Sequence, residues 1–473
     1  MTDDTAYFRS EEFKEILQQY EDSVRAGHPP YMDADTLADI ADYYHYMGDD
    51  FQADDVIDYA LTLHPNATLP NVFKARKALT TGDVDAACEF VERIESKDDP
   101  EYHYMQAELL MAQDRVEEAD KYLRQYFRTV APEEYQDFVM DVANIYYDYG
   151  LNDKAYEWMM RSKGDDSNDF KELMARTLFG IGKYQDSERL YNELLDKDPY
   201  SKEYWNELAH AQFMNDDFSG AITSSEYAIA IDPEDPEGVI TKANGLYRLG
   251  NYEEAIRYYD RYGEISSPDE FSLLHKGSCL VYLNRLEEAI LVFQQAIAVS
   301  PHDSTILPQI HQELAFCYSK AHRLEEALHC IDETKDLDCD HIDMIVLKGH
   351  ILLENGHKKE AEESFKQAII LSHNDPDILL RIIVSLHDNK YVKTSYSMFK
   401  RFFDTVVDDT YNNGYSYMAL CCWDLGYAEE FLDYLRMAVE RNPKEARAVL
   451  GHLFPEDMEV EAYYQYITQN LKK

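Results

Sequence analysis

The sequence predicts an all-α protein built as a stack of helical hairpins, and three features of its 473 residues carry that reading. The first is the segment 270–303, EFSLLHKGSCLVYLNRLEEAILVFQQAIAVSPHD. Here Leu273, Leu274, Cys279, Leu280 and Leu283 recur at helical spacing, Asn284-Arg285 interrupts, and Leu286, Ala289, Ile290, Phe293, Ala296 and Ile297 resume. The second is a pair of small residues, Gly277 and Ala289, that lets the two backbones approach while Leu280 and Phe293 fill the space beside them. The third is Pro301, which stops the unit because proline has no amide to donate and its ring clashes with the preceding turn.

One hairpin cannot bury its own apolar face, so the pattern must recur, and it does. Equivalents of Gly277 are Ala41, Ala75, Ala107, Ala143, Ala175, Ala209, Ala243, Ala315, Gly349, Ile382 and Ala419. Twelve residues after each stand Ala53, Ala87, Ala119, Ala155, Ser187, Ala221, Ala255, Ala327, Ala361, Thr394 and Phe431. A proline lies at or just past the expected stop in Pro65, Pro100, Pro132, Pro199, Pro233, Pro268 and Pro443 as well.

Trp205, Leu208, Ala209, Phe218, Ala221, Ala228 and Pro233 match one tetratricopeptide repeat. Gly250, Tyr252, Ala255 and Tyr259, followed by Gly277, Leu286, Ala289, Phe293, Ala296 and Pro301, match the next two. The chain therefore resembles a tetratricopeptide-repeat protein over roughly residues 34–445. That resemblance implies an α-α superhelix, a right-handed solenoid of about twelve hairpins. The matching residues are packing residues, so the resemblance speaks to the fold rather than to a function.

Taken in order, Ser10 with Glu11 and Glu12 starts a helix that runs toward Arg25 and stops at Gly27-His28-Pro29-Pro30, with Phe13, Ile16, Leu17 and Tyr20 as its buried stripe. Residues 1–33 are thus a capping helix, 34–445 the repeat array in one continuous superhelix, and 446–473 capping helices at the other end. The segment 168–303 keeps the most regular period, and extra residues near 301–308 and 406–410 lengthen two connections. The last helix is expected over 459–471, with Val460, Tyr463, Tyr464 and Ile467 inward and Lys472 and Lys473 at its negative end.

Charge narrows the partners. With 92 acidic against 45 basic residues the formal charge is -47, which repels nucleic acid and anionic lipid and favours a basic partner. The acid is concentrated early, with 34 acidic and 12 basic residues in 1–150. No uncharged apolar stretch reaches membrane-spanning length, the acidic N-terminus is no secretory or transit signal, and seven cysteines suit a reducing cytoplasm.

Chemistry is sparse. The phosphate-loop, dinucleotide, zinc-protease, thiol-redox and hydrolase signatures are all missing, so no enzyme, no cofactor and no metal are expected. Histidines crowd the segment 302–387, where His329, Cys330, Cys339 and His341 would suit tetrahedral zinc in type. Cys330 belongs to a second helix and the other two flank a connection, so a metal-dependent regulator or enzyme there is the lesser alternative.

What remains is the concave wall made by the first helix of each hairpin. Residues just after the small residue, or three or four to either side, should face it: Tyr104, Glu108, Asp141, Asn144, Tyr147, Glu172, Arg176, Asn206, His210, Phe213, Asn244 and Tyr247. Asp42, His45 and Arg76 share the face, and beyond Tyr247 the same positions turn more apolar, with Phe316, Ile383 and Leu420. Aromatic rings with carboxylates and amides suit an extended, basic peptide, which makes the expected protein a non-enzymatic interaction scaffold. The family's clamp for a C-terminal carboxylate is not expected, since Asn144 and Asn244 supply its amide but Met140 and Ile240 stand where its lysine would be. Self-association through the more apolar C-terminal groove, giving a homo-oligomeric scaffold, is the other alternative.

Overall fold

A computed structural model describes residues 7–162, 164–408, 410–455 and 458–470. Among them the chain forms 27 α-helices and no strand. After α1 (Glu11–Arg25) come six pairs: α2 (Ala34–Tyr46) with α3 (Asp50–Leu63), α4 (Thr68–Thr80) with α5 (Val84–Arg93), α6 (Pro100–Ala112) with α7 (Val116–Tyr126), α8 (Tyr135–Asp148) with α9 (Asn152–Met159), α10 (Asn168–Gly180) with α11 (Tyr184–Leu195), and α12 (Lys202–Met214) with α13 (Phe218–Ile231). Six more follow: α14 (Pro236–Arg248) with α15 (Tyr252–Ile265), α16 (Glu270–Tyr282) with α17 (Leu286–Val299), α18 (Leu307–Lys320) with α19 (Leu324–Glu333), α20 (His341–Glu354) with α21 (Lys358–Leu371), α22 (Pro376–Asp388) with α23 (Val392–Thr405), and α24 (Tyr415–Leu425) with α25 (Ala428–Arg441). Helices α26 (Pro443–Leu450) and α27 (Tyr463–Asn470) complete the fold.

Each pair turns on one left-handed residue, seven positions after its small residue. Glycine holds seven of these turns, for example Gly48 at φ 78° and Gly250 at φ 78°, since it pays no Cβ penalty there. Asp114, Asp216, Asn284, His322 and Lys390 hold the other five, at φ 57–68°. Lys390 corrects the sequence reading of the eleventh pair. It lies seven residues after Ile383, and the Ser395 hydroxyl donates to the Ile383 carbonyl at 2.7 Å, as the Ser187 hydroxyl does to that of Ala175 at 2.8 Å. The crossing pair is therefore Ile383 and Ser395. Thr394 is exposed, and the Ile382 and Thr394 assignment was one residue early because two adjacent isoleucines, both 2% exposed, hide the phase.

The contacts divide the chain into two compact units, Met1–Pro233 and Glu234–Lys473. In the first, Ser10 caps α1 by accepting from the Phe13 amide at 3.1 Å, and Phe13 and Tyr20 are buried against α2 and α3. Ile16 and Leu17 are half-buried. The small residues Ala41, Ala75, Ala107, Ala143, Ala175 and Ala209 are all 0% exposed. In the second unit a Cβ on Gly277 would lie 2.3 Å from Phe293, and one on Gly349 would lie 2.4 Å from Phe365, so these glycines make room for the rings. The Glu445 carboxylate accepts from the Gly414 amide at 3.0 and 3.1 Å and from the Ser416 amide at 3.3 Å, tying α26 to the start of α24. Val460, Tyr463 and Ile467 are buried, with Tyr463 stacked on Phe454 at 3.8 Å, while Tyr464 is half-buried. The last α-helix begins at Tyr463 rather than 459, after a 3₁₀ turn at Val460–Ala462, and the expected placement of Leu471, Lys472 and Lys473 lies outside the described residues.

Candidate partner-binding cleft

In the N-terminal unit the first helices pack in series, α2 on α4, α4 on α6, α6 on α8 and α8 on α10. Their shared face holds a cleft of about 950 Å³. Four residues expected at the groove, Tyr104, Glu108, Asp141 and Asn144, line it together. Arg76 lines it too, donating from Nε and Nη2 to Glu108 Oε1 at 3.1 and 3.0 Å and from Nη2 to Glu101 Oε2 at 3.2 Å. The Tyr104 hydroxyl donates to Asp141 Oδ2 at 2.9 Å.

Two of the four stand differently from expectation. Tyr104 is 4% exposed and Glu108 6% exposed, so neither offers a free surface. The cause is the stacking itself: Glu108 follows Ala107 by one residue and Arg76 follows Ala75 by one, so the two meet across neighbouring hairpins. Asp141 and Asn144 are exposed, as are Asp148 and Tyr149, which complete the wall. Glu101 and Asp148 were missed by sequence reasoning, although each lies seven residues from a named carboxylate on its own helix, Glu108 and Asp141, hence on the same face.

The cleft thus sets four carboxylates around one guanidinium. Burial pushes the Glu101 carboxyl up against the pull of Arg76, and the charges of Asp141 and Glu108 push it further. Although both residues keep an exposed edge, the packed cleft walls desolvate their carboxyls: this raises Asp141, despite the hydrogen bond from Tyr104, and raises Asp148, despite Arg76 and Arg176. A cation placed among the three would favour their ionised forms and lower each of them again.

A second group forms one hairpin further on. Arg176 Nη2 pairs with Glu172 Oε1 at 2.7 Å, and the Tyr204 hydroxyl donates to Glu172 Oε2 at 2.9 Å. Tyr147 is half-buried, its hydroxyl raised by burial and acted on by the charges of Arg176 and Glu207. Asn206 is 2% exposed and does not line the wall. Three residues before the small position is most of a helical turn, which rotates Asn206 toward the adjacent hairpin, as it does Tyr104. His210 is half-buried, and Phe213 packs edge-on against Phe218 at 5.3 Å.

Asn244 and Tyr247 belong to the C-terminal unit. Asn244 Oδ1 accepts from the Tyr259 hydroxyl at 2.8 Å, and Tyr247 packs against His275 at 5.2 Å. In the same unit Ile383 is core rather than groove, at 2% exposure. The histidine-rich segment is built from local pairs: His350 Nδ1 with Ser385 Oγ at 2.9 Å, and His387 Nε2 with Asp424 at 3.0 Å. Cys339 Sγ and His341 Nδ1 are 3.6 Å apart, while burial pushes the Cys330 thiol up to about 11. Among the described residues no three His, Cys, Asp or Glu side chains are grouped to hold a metal, and no helix is long and apolar enough to cross a membrane.

Family models match hairpins further along the chain than the cleft. The model described as tetratricopeptide repeat matches residues 173–236 and, in a second form, 342–372, and one described as anaphase-promoting complex, cyclosome, subunit 3 matches 214–296. The chain carries tetratricopeptide repeats. It is 28% identical over 118 residues to the inactive TPR repeat-containing thioredoxin TTL3 of Arabidopsis thaliana, covering 25% of this chain and 16% of that protein. It is 23% identical over 255 residues to DnaJ homolog subfamily C member 7 of Homo sapiens, covering 52% of this chain and 45% of that protein. The repeat protein spans less than half the length of either relative. Among solved structures, YrrB, a TPR protein with an unusual peptide-binding site, gives a TM-score of 0.36 at 17% identity, covering 42% of this chain and 97% of that one. MamA gives 0.34 at 19% identity, covering 36% of this chain and 92% of that one.

Proposed function

We propose that this protein is a non-enzymatic scaffold whose N-terminal cleft receives an extended, basic segment of another protein. One observation carries the reading: Glu101, Glu108, Asp141 and Asp148 share a cleft with the single guanidinium of Arg76, and three of those carboxyls are raised. A lysine or arginine side chain entering there restores the missing positive charge, and the ring and amide of Tyr149 and Asn144 offer contact to the chain that carries it. The wider field helps, since 51 acidic against 21 basic residues precede Glu234. A reducing, cytoplasmic setting suits the free cysteines of the described chain.

The test compares two neutralised pairs that remove equal charge. Asp141→Asn with Asp148→Asn alters the cleft, whereas Glu117→Gln with Glu118→Gln alters α7, where those exposed carboxylates make the ion pairs Lys154–Glu117 at 2.9 Å and Arg115–Glu118 at 2.8 Å. The probe is a lysine-glycine decapeptide with acetylated and amidated ends, titrated calorimetrically against the full chain. The cleft variant is expected to bind it about tenfold or more weakly, on the scale of roughly 1.4 kcal/mol per decade, and the α7 variant within about twofold of wild type. Equal losses would leave net charge as the whole explanation. Acid should also weaken binding. Carboxyls raised in the free protein take up protons as pH falls from neutrality toward the ordinary range of about 4, and a protonated cleft no longer attracts a cation.

A further inference from the structure

The second-helix position sixteen residues after the small residue is phenylalanine in Phe293, Phe365 and Phe399 but tyrosine in Tyr191 and Tyr259. The ring is core in every case, with Tyr191 0% and Tyr259 3% exposed. The two hydroxyls fare differently. That of Tyr259 reaches through to the first helix of its hairpin and donates to Asn244, the residue just after Ala243, at 2.8 Å. The residue in the same place beside Tyr191 is Arg176, whose guanidinium has five donors and no acceptor. Arg176 thus offers the Tyr191 hydroxyl nothing to donate to, nor does it donate to that oxygen, and the hydroxyl has no hydrogen-bond partner among the described residues. In the register of Tyr259 its oxygen faces the first helix of its own hairpin beside Arg176, and its ring lies 6.4 Å from that of Tyr204, whose hydroxyl bonds Glu172.

A buried donor without an acceptor costs folding free energy, and Phe293, Phe365 and Phe399 show that the fold accepts a ring without it. We propose that the Tyr191 hydroxyl and the Arg176 guanidinium together donate to a main-chain carbonyl of the extended segment bound by the N-terminal unit, an inference that rests on the function proposed above. A neutral carbonyl fits better than a carboxylate, because Glu172 and Glu207 flank the pair and would repel a second anion. The hydroxyl is covered in the free protein. Arg176, with its side chain 35% exposed, meets the incoming carbonyl first, and turning out of its 2.7 Å pair with Glu172 uncovers Tyr191. The pair would fix the position of the backbone while the acidic cleft of the preceding hairpins selects basic side chains.

The test sets Tyr191→Phe against Tyr259→Phe in the full chain, reading the thermal midpoint and the affinity for the same blocked lysine-glycine decapeptide. Tyr191→Phe should leave the midpoint unchanged or raise it and weaken binding about fivefold, the value of one hydrogen bond to a neutral acceptor. Tyr259→Phe, which strips a hydroxyl already satisfied by Asn244, should lower the midpoint and leave affinity within about twofold. Unchanged affinity in Tyr191→Phe, or a lowered midpoint with the two variants losing affinity alike, overturns the inference. If Asp141→Asn with Asp148→Asn weakens binding while Tyr191→Phe does not, the acidic-cleft reading stands and this one fails. If the wild type does not bind the decapeptide, both fail.

Discussion

Phe293→Ala is expected to destabilise the C-terminal unit by about 3–5 kcal/mol, the usual cost of emptying a buried aromatic site. The Phe293 ring is 0% exposed and sits where a Cβ on Gly277 would be 2.3 Å from its Cε1 atom. Gly277→Ala should therefore overpack the same crossing and cost about 1–3 kcal/mol by itself. The two changes share one space, so the double variant should lose less than the sum: the alanine methyl on one helix moves into the gap left by the missing ring. Denaturant unfolding of the four proteins, followed by helical signal, gives the coupling. Additive losses would mean that the ring and the glycine do not meet, and the phase of the whole array would be wrong with them.

Glu108→Lys should be nearly as damaging, at about 2–4 kcal/mol, although it lies in the cleft rather than the core. Glu108 is buried and takes two hydrogen bonds from Arg76. Reversal would set two cations against each other in a seam that burial keeps from water, though Arg76, with its side chain 45% exposed, retains Glu101 and some solvent, which trims the penalty below that of a fully buried pair. Glu108→Gln keeps the shape and one acceptor and should cost roughly half as much. A midpoint unmoved by Glu108→Lys would show that Arg76 and Glu108 are not joined as described. The same logic disqualifies Glu108 as a probe of binding, because any lost affinity would be confounded by lost fold.

The hairpins were legible because packing at a crossing tolerates few residue types: Ala289 and Gly277 are both diagnostic and structural. The phase fails at the eleventh pair, where large Ile383 replaces the small residue beside an equally apolar Ile382, and Ser395, the counterpart of Ser187, is the residue that sets it. The cleft was half legible. Counting from each small residue places Asn144 on the exposed wall, with Asp141 three residues before it on the same face, but it cannot show that Arg76 and Glu108, each one residue past an alanine on successive hairpins, will pair and bury each other. That outcome depends on the distance between neighbouring first helices, which no single helix encodes. Asn206 and Tyr104 failed for a related reason, since the neighbouring hairpin covers the positions three residues before the small one.

Salt dependence puts the central claim, that surplus negative charge in the cleft attracts the partner, to its most direct test. The blocked lysine-glycine decapeptide is titrated against the wild-type chain and against Asp141→Asn with Asp148→Asn, each at about 0.05 and about 0.5 M salt, across which screening shortens from above 10 Å to a few ångströms. The wild type should lose about tenfold or more in affinity between the two, and the cleft variant should lose clearly less, because two of the charges being screened are gone. Parallel losses in the two proteins would contradict the account and move the binding site away from Glu101, Asp141 and Asp148.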